Sequence, residues 1–233
     1  DTETVAARLS EWADLPGATV LCWFYGTDYF DYFMPFDTMS ALQDNIRLAH
    51  AAGDGMLFYQ LQTYGASTVG SDWQRLKLYL TSRLAKDVDA DVGTLIDDFC
   101  RAYFGAAADT MRQLLTKEYA DLYRNRNAGG HGDWYGLING SALLLDKKCF
   151  ARSDLRGYMK TIDEAKAQVE KSFSDGDLTS DGRDAILRRI DIESLTFRYL
   201  LITLHSYTGY DASTEAFFAF ARSLGVLAAS ETA

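Results

Sequence analysis

Two short runs of β-branched and aromatic residues, ATVLCWFY at 18–25 and GMLFYQLQ at 55–62, flank one helical segment. Strand, helix, strand with short joins predicts a parallel pair, because antiparallel neighbours need no crossover between them. Gly17 and Gly26 bound the first run. In the segment between the strands Asp37 reads as an N-cap. Met39, Leu42, Ile46 and Ala49 form a single stripe, and Gly53 closes the helix. Two strands do not make a stable sheet on their own, and a parallel barrel needs several more. Either the pair packs unusually against helices, or the rest of the sheet lies in sequence not contained here. The start at Asp1, without Met, favours a piece of a longer polypeptide.

Everything after the Gly/Ser/Thr loop at 63–70 has helical periodicity. Ser71 and Gln74 fit a capping box, followed by the stripe Trp73, Leu76, Leu80 and Leu84. Asp91 caps a helix whose apolar face is Val92, Leu95, Ile96, Phe99 and Tyr103, with Gly105 past its end. Further helices are expected near 106–125, 134–146, 153–173, 180–208 and 212–224, and one before the first strand at 1–13. NRNAGGHGD at 125–133 marks a boundary. The helix at 180–208 is apolar on more than one side, which suits the centre of a bundle.

The net charge of -10 argues against nucleic acid or an anionic membrane surface as partner, since no basic run exceeds a pair. No apolar stretch approaches the roughly 18 to 20 residues of a membrane span. Cys22, Cys100 and Cys149 are odd in number and far apart, so buried free thiols in a reducing compartment are expected rather than a zinc site or disulfide framework. Asp87, Asp89 and Asp91 imitate the start of a calcium loop. The sixth and twelfth positions are Val92 and Asp98 rather than Gly and Glu, so a turn with Asp caps is expected instead. Asp175, Asp177 and Asp181 receive the same reading. His131 and Asp133 lack a third ligand, and no cofactor is expected.

The densest chemistry lies after the first strand. Trp23, Tyr25, Asp28, Tyr29, Phe30, Tyr32, Phe33 and Phe36 fall within fourteen residues. Aromatic faces with a few polar groups suit sugar rings, which offer apolar C–H faces and a rim of hydroxyls. A packed turn explains Phe30, Phe33 and Phe36 equally well. The second strand ends in Tyr59, Gln60, Gln62 and Tyr64, whose amides can donate to and accept from hydroxyls. If the strands are parallel, Tyr25, Asp28, Tyr29, Gln60, Gln62 and Tyr64 are expected on one concave surface as the substrate-binding set. Glycoside hydrolysis needs two carboxyl groups across the scissile bond. Neither strand end carries a convincing pair, Asp28 and Asp31 being close within one loop. The isolated chain is therefore expected not to hydrolyse aryl glycosides.

The segment WFYGTDYFDYFMPFDTMSALQDNIR at 23–47, followed by GDGMLFYQ at 53–60, resembles a bacterial glycoside-hydrolase-like family. Its members carry a domain of unknown function next to an α-glucuronidase-like N-terminal domain. LKLYLTSRLAKDVDAD at 76–91 and DDFCRAYFGAAA at 97–108 extend the likeness, which covers about residues 20–125. Asp28 stands where that family has Asn after Gly-Thr, and Tyr59 where it has Glu, so no role for that glutamate carries over.

The resemblance implies a fold that is mainly α with a small parallel β part. Residues 1–125 would be the last βα units of a (β/α)8-like barrel, and residues 126–233 a C-terminal helical bundle. It also implies carbohydrate and a missing N-terminal part of the same polypeptide as partners. The competing expectation is a non-catalytic helical module for protein interaction or homo-oligomerisation, exposing an apolar stripe on the helices after 134.

Overall fold

The computed structural model describes residues 2–17, 20–28, 31–52, 56–61, 69–128, 147 and 149–230. Their order is α1 (Thr2–Ala13), β1 (Val20–Tyr25), α2 (Met39–Ala51), β2 (Met56–Leu61), α3 (Gln74–Lys86), α4 (Val92–Phe104), a 3-10 turn at Gly105–Ala107, α5 (Ala108–Ala128), α6 (Arg152–Ser174), α7 (Ser180–His205) and α8 (Thr214–Ser223). The helix expected near 134–146 lies outside the described residues.

The fold class expected from the sequence is corrected by this arrangement. The chain is a helical protein, not the closing βα units of a (β/α)8-like barrel followed by a bundle. Among the described residues the sheet is one ladder of two strands, β1 beside β2, with Val20 opposite Met56 and Tyr25 opposite Leu61. The described core is built from helices and from the loop after β1, not from a closed sheet. A strand–helix–strand pattern reads the same whether a barrel continues it or not, so the residues alone did not separate the two cases.

Helix periodicity explains the main core. In α3, Leu76, Leu80 and Leu84 recur every four residues and all are at most 1% exposed. They meet Leu95, Phe99 and Phe104 of α4, then Met111, Leu114 and Leu115 of α5. The aromatic members interlock edge to face, with the Trp73 and Phe104 rings at 6.2 Å and 85°. α6 contributes Leu155, Met159, Ile162 and Val169, and α7 contributes Ile190, Phe197, Leu200 and Leu201. This cluster is continuous across the boundary at 125–133. A smaller cluster joins Phe33, Leu195, Phe217, Ala221, Leu224 and Val226. α7 supplies both clusters, which is why it is apolar on more than one side.

The caps are local and chemical. Asp91 Oδ1 accepts the Thr94 N–H, and Thr179 Oγ1 accepts the Gly182 N–H at 3.1 Å. Asp87 Oδ1 accepts the Asp89 N–H at 3.1 Å, so this aspartate run organises the α3–α4 turn. The expected capping box of Ser71 and Gln74 does not form. The N-cap of α3 is Trp73, in the left-handed conformation at φ 48°. Its cause is tertiary and is given below. Cys22, Cys100 and Cys149 are free and buried.

Candidate functional site

Parallel pairing places the carboxyl ends of β1 and β2 at one edge. Tyr25 closes β1 in register with Leu61, and Gln60 stands in register with Phe24. Tyr29, Gln62 and Tyr64 lie outside the described residues. Asp28 follows β1 directly and is 1% exposed; its Oδ1 accepts the Asp31 N–H at 3.3 Å. Its carboxyl therefore shapes the turn from within.

The loop that leaves β1 is packed rather than displayed. Tyr32, Phe33, Met34 and Phe36 are all buried. The Phe33 ring stands 5.2 Å from Tyr199 of α7 and 5.2 Å from Phe217 of α8. The Tyr32 N–H donates to Ala229 O at 2.8 Å, so the C-terminal segment straps the loop down. Of the aromatic run, Tyr32, Phe33 and Phe36 thus belong to the core.

Asp31 is the half-buried acid of this loop. Its Oδ2 accepts the Tyr199 hydroxyl at 2.6 Å and its Oδ1 the Phe33 N–H at 3.1 Å. Burial pushes the Asp31 pKa up to about 6 and the Asp28 charge adds to this; the two hydrogen bonds work the other way. Around pH 6, rather than in the usual carboxylate range, this carboxyl passes between its acceptor-only form and a form that can also donate. Tyr199 is 168 residues distant, and nothing in the sequence links it to Asp31. Its hydroxyl favours the ionised acid. In Tyr199→Phe the Asp31 pKa is expected to rise above about 6, as followed by NMR titration of the side-chain carboxyl carbon. An unchanged or lower value would show that the hydroxyl does not hold Asp31.

Behind the loop is an enclosed polar network that sequence reading missed. Asp72 Oδ2 accepts from the Tyr119 hydroxyl at 2.7 Å, from the Phe36 N–H at 3.3 Å and from Lys77 Nζ at 3.3 Å. The Lys77 ammonium, 1% exposed, also donates to Phe36 O at 2.6 Å. Both backbone groups of Phe36 are thereby fixed. Two further acids hold Trp73: its N–H donates to Glu193 Oε2 at 3.2 Å and its indole N–H to Glu118 Oε2 at 2.8 Å. These bonds from α5 and α7 hold Trp73 in a backbone conformation unfavourable for a large side chain, and they displace the capping box. Burial pushes the Glu193 pKa up to about 8, helped by the Asp72 charge, so Glu193 carries a proton at neutral pH. Glu118 is raised well above the ordinary range, first by burial and then by Asp72. The network is buried, and it positions the loop.

Among the described residues no group of three His, Cys, Asp or Glu side chains could hold a metal ion, and no helix is long and apolar enough to cross a membrane. Residues 1–116 match the model of a family described as a domain of unknown function (DUF4838). The matched stretch includes β1 and β2. No curated protein and no solved structure matches the chain.

Proposed function

We propose that this chain is a carbohydrate-contacting, non-catalytic portion of a glycoside-hydrolase-like protein, with its contacts at the β1–β2 edge. The observation that carries the reading is the parallel pairing of β1 and β2, which sets the end of β1 at Tyr25 beside the end of β2 at Leu61. In this reading the ring faces and amides of Tyr25, Tyr29, Gln60, Gln62 and Tyr64 are the groups that would meet the sugar. Asp28 keeps the turn in shape, and Asp31, held by Tyr199, adds a carboxyl to the rim. The resemblance of about residues 20–125 to the glycoside-hydrolase-like family supports the same ligand class.

The distribution of exposed apolar groups weighs against a helical interaction module. Among the described residues the large exposed hydrophobic side chains are Trp12, Leu15 and Leu227, and none lies on α6, α7 or α8.

Substitution of Tyr25 tests the proposal. Tyr25→Ala is expected to weaken oligosaccharide affinity by roughly 1 to 3 kcal/mol, the scale of one aromatic contact, with the melting temperature nearly unchanged. Calorimetric titration with a glycan selected on an immobilised panel measures the affinity. A large loss of stability with unaltered affinity would assign Tyr25 to packing and remove it from the site.

A further inference from the structure

A groove lies between α3, α4 and α7, with a volume of about 320 Å³. Val69, Ile192 and Leu224 form its apolar wall. Three guanidinium groups line it: Arg75 from α3, and Arg188 and Arg189 from α7. All three act on the Tyr103 phenol in the same groove, each charge lowering a pKa that burial pushes up to about 12. Arg189 lies over the Tyr103 ring, 4.6 Å from its centroid, and donates to Tyr103 O at 2.8 Å. Arg188 donates to Ser223 O at 3.1 Å and to Leu224 O at 2.5 Å.

These bonds end on neutral carbonyls, so they fix two of the arginine heads without neutralising them. Elsewhere the arginines sit on acids: Arg47 on Asp89, Arg112 on Asp97, Arg198 on Asp211. Among the described residues none of the three groove arginines has a carboxylate within 4.0 Å. The acid in the lining, Glu193, is buried and its carboxyl is engaged by the Trp73 N–H rather than by a guanidinium. In a chain of net charge -10, three like charges line this groove with no carboxylate in contact with them. That arrangement costs Coulomb energy which an anion would relieve.

We propose that this groove binds a small organic oxyanion, a carboxylate or phosphate attached to an apolar body. Guanidinium forks match the geometry of either head group, and the Val69–Ile192–Leu224 wall takes the body. The volume falls within the range of small-ligand sites, about 300 to 1,000 Å³. None of the residues lining this groove belongs to the proposed carbohydrate set.

Isothermal titration of the chain with benzoate, phenyl phosphate, inorganic phosphate and benzyl alcohol tests the proposal. Both aryl anions are expected to bind saturably, and the tighter one identifies the head group. Benzyl alcohol should not bind, and inorganic phosphate should bind more weakly than phenyl phosphate. Arg75→Gln, at an exposed position, should raise the dissociation constant about tenfold or more while leaving the melting curve unchanged. Arg83→Gln, on α3 but outside the groove, should bind like the unmodified chain. The absence of saturable binding by either aryl anion would overturn the proposal, as would equal affinities in Arg75→Gln and the unmodified chain. Inorganic phosphate binding as tightly as phenyl phosphate would remove the apolar body from the assignment.

Discussion

Lys77→Met is expected to lower the free energy of unfolding by about 3 to 5 kcal/mol, the scale for removing one partner of a buried ion pair. Methionine conserves most of the side-chain volume, so the loss is electrostatic rather than a cavity. Asp72 would keep its bonds from Tyr119 and Phe36 but lose its cation, and Phe36 O would lose its shorter donor while keeping the Thr38 N–H at 3.0 Å. With Lys77 and Asp72 side chains 1% and 3% exposed, water does not substitute for either partner. Urea denaturation at neutral pH measures the change. A loss of under about 1 kcal/mol, the range of surface ion pairs, would show that the pair is solvated in the protein.

The second large effect concerns pH. Glu193 has a folded pKa of about 8 against an ordinary value of 4.5. Below about 4.5 it is protonated in both the folded and unfolded chain, and stability is unaffected by its titration. Between about 4.5 and 8 the unfolded chain ionises it while the folded chain does not. Stability is therefore lost as pH rises through that window, by roughly 1.4 kcal/mol per pH unit for one proton. Glutamine imitates the neutral acid and retains an oxygen for the Trp73 N–H. Glu193→Gln is thus expected to match the unmodified chain near pH 4.5 and to exceed its stability increasingly up to about pH 8. Chemical denaturation at several pH values checks the slope. A variant less stable than the unmodified chain at pH 8 would mean that Glu193 is ionised and needed in that form.

Both effects lie in a network that the sequence hid, and the reason is physical. Lys77 follows Leu76 of the α3 stripe and reads as a solvated helix residue. Its burial depends on Asp72 and on the carbonyl of Phe36, 41 positions earlier. Glu118 and Glu193 look like helix-surface acids until α5 and α7 close on Trp73. The helices were legible because their apolar spacing is local, as Leu76, Leu80 and Leu84 show. Asp91 and Thr179 act within a few residues of themselves; of these, the Asp91 cap was read from sequence.

The loop at 26–36 was legible as a place but not as an environment. Its aromatic density is equally suited to a ligand face and to a core. Only the distant Tyr199 and Phe217 decide that Phe33 is core. The parallel pair itself was legible, and the strands at 20–25 and 56–61 form it, but the barrel around it was not, because such a pair satisfies the same residue pattern with or without one. The arginine groove escaped notice because Arg75 and the Arg188-Arg189 pair are more than a hundred residues apart in sequence.

The carbohydrate assignment is tested most directly by amide NMR mapping of the isotopically labelled chain titrated with an oligosaccharide selected on a glycan panel. Saturable shifts concentrated at residues 25–31 and 60–64 are the expected result, with Tyr25→Ala weakening the same response. Failure of every glycan on the panel to shift those amides, or shifts confined to α6, α7 and α8, would contradict it.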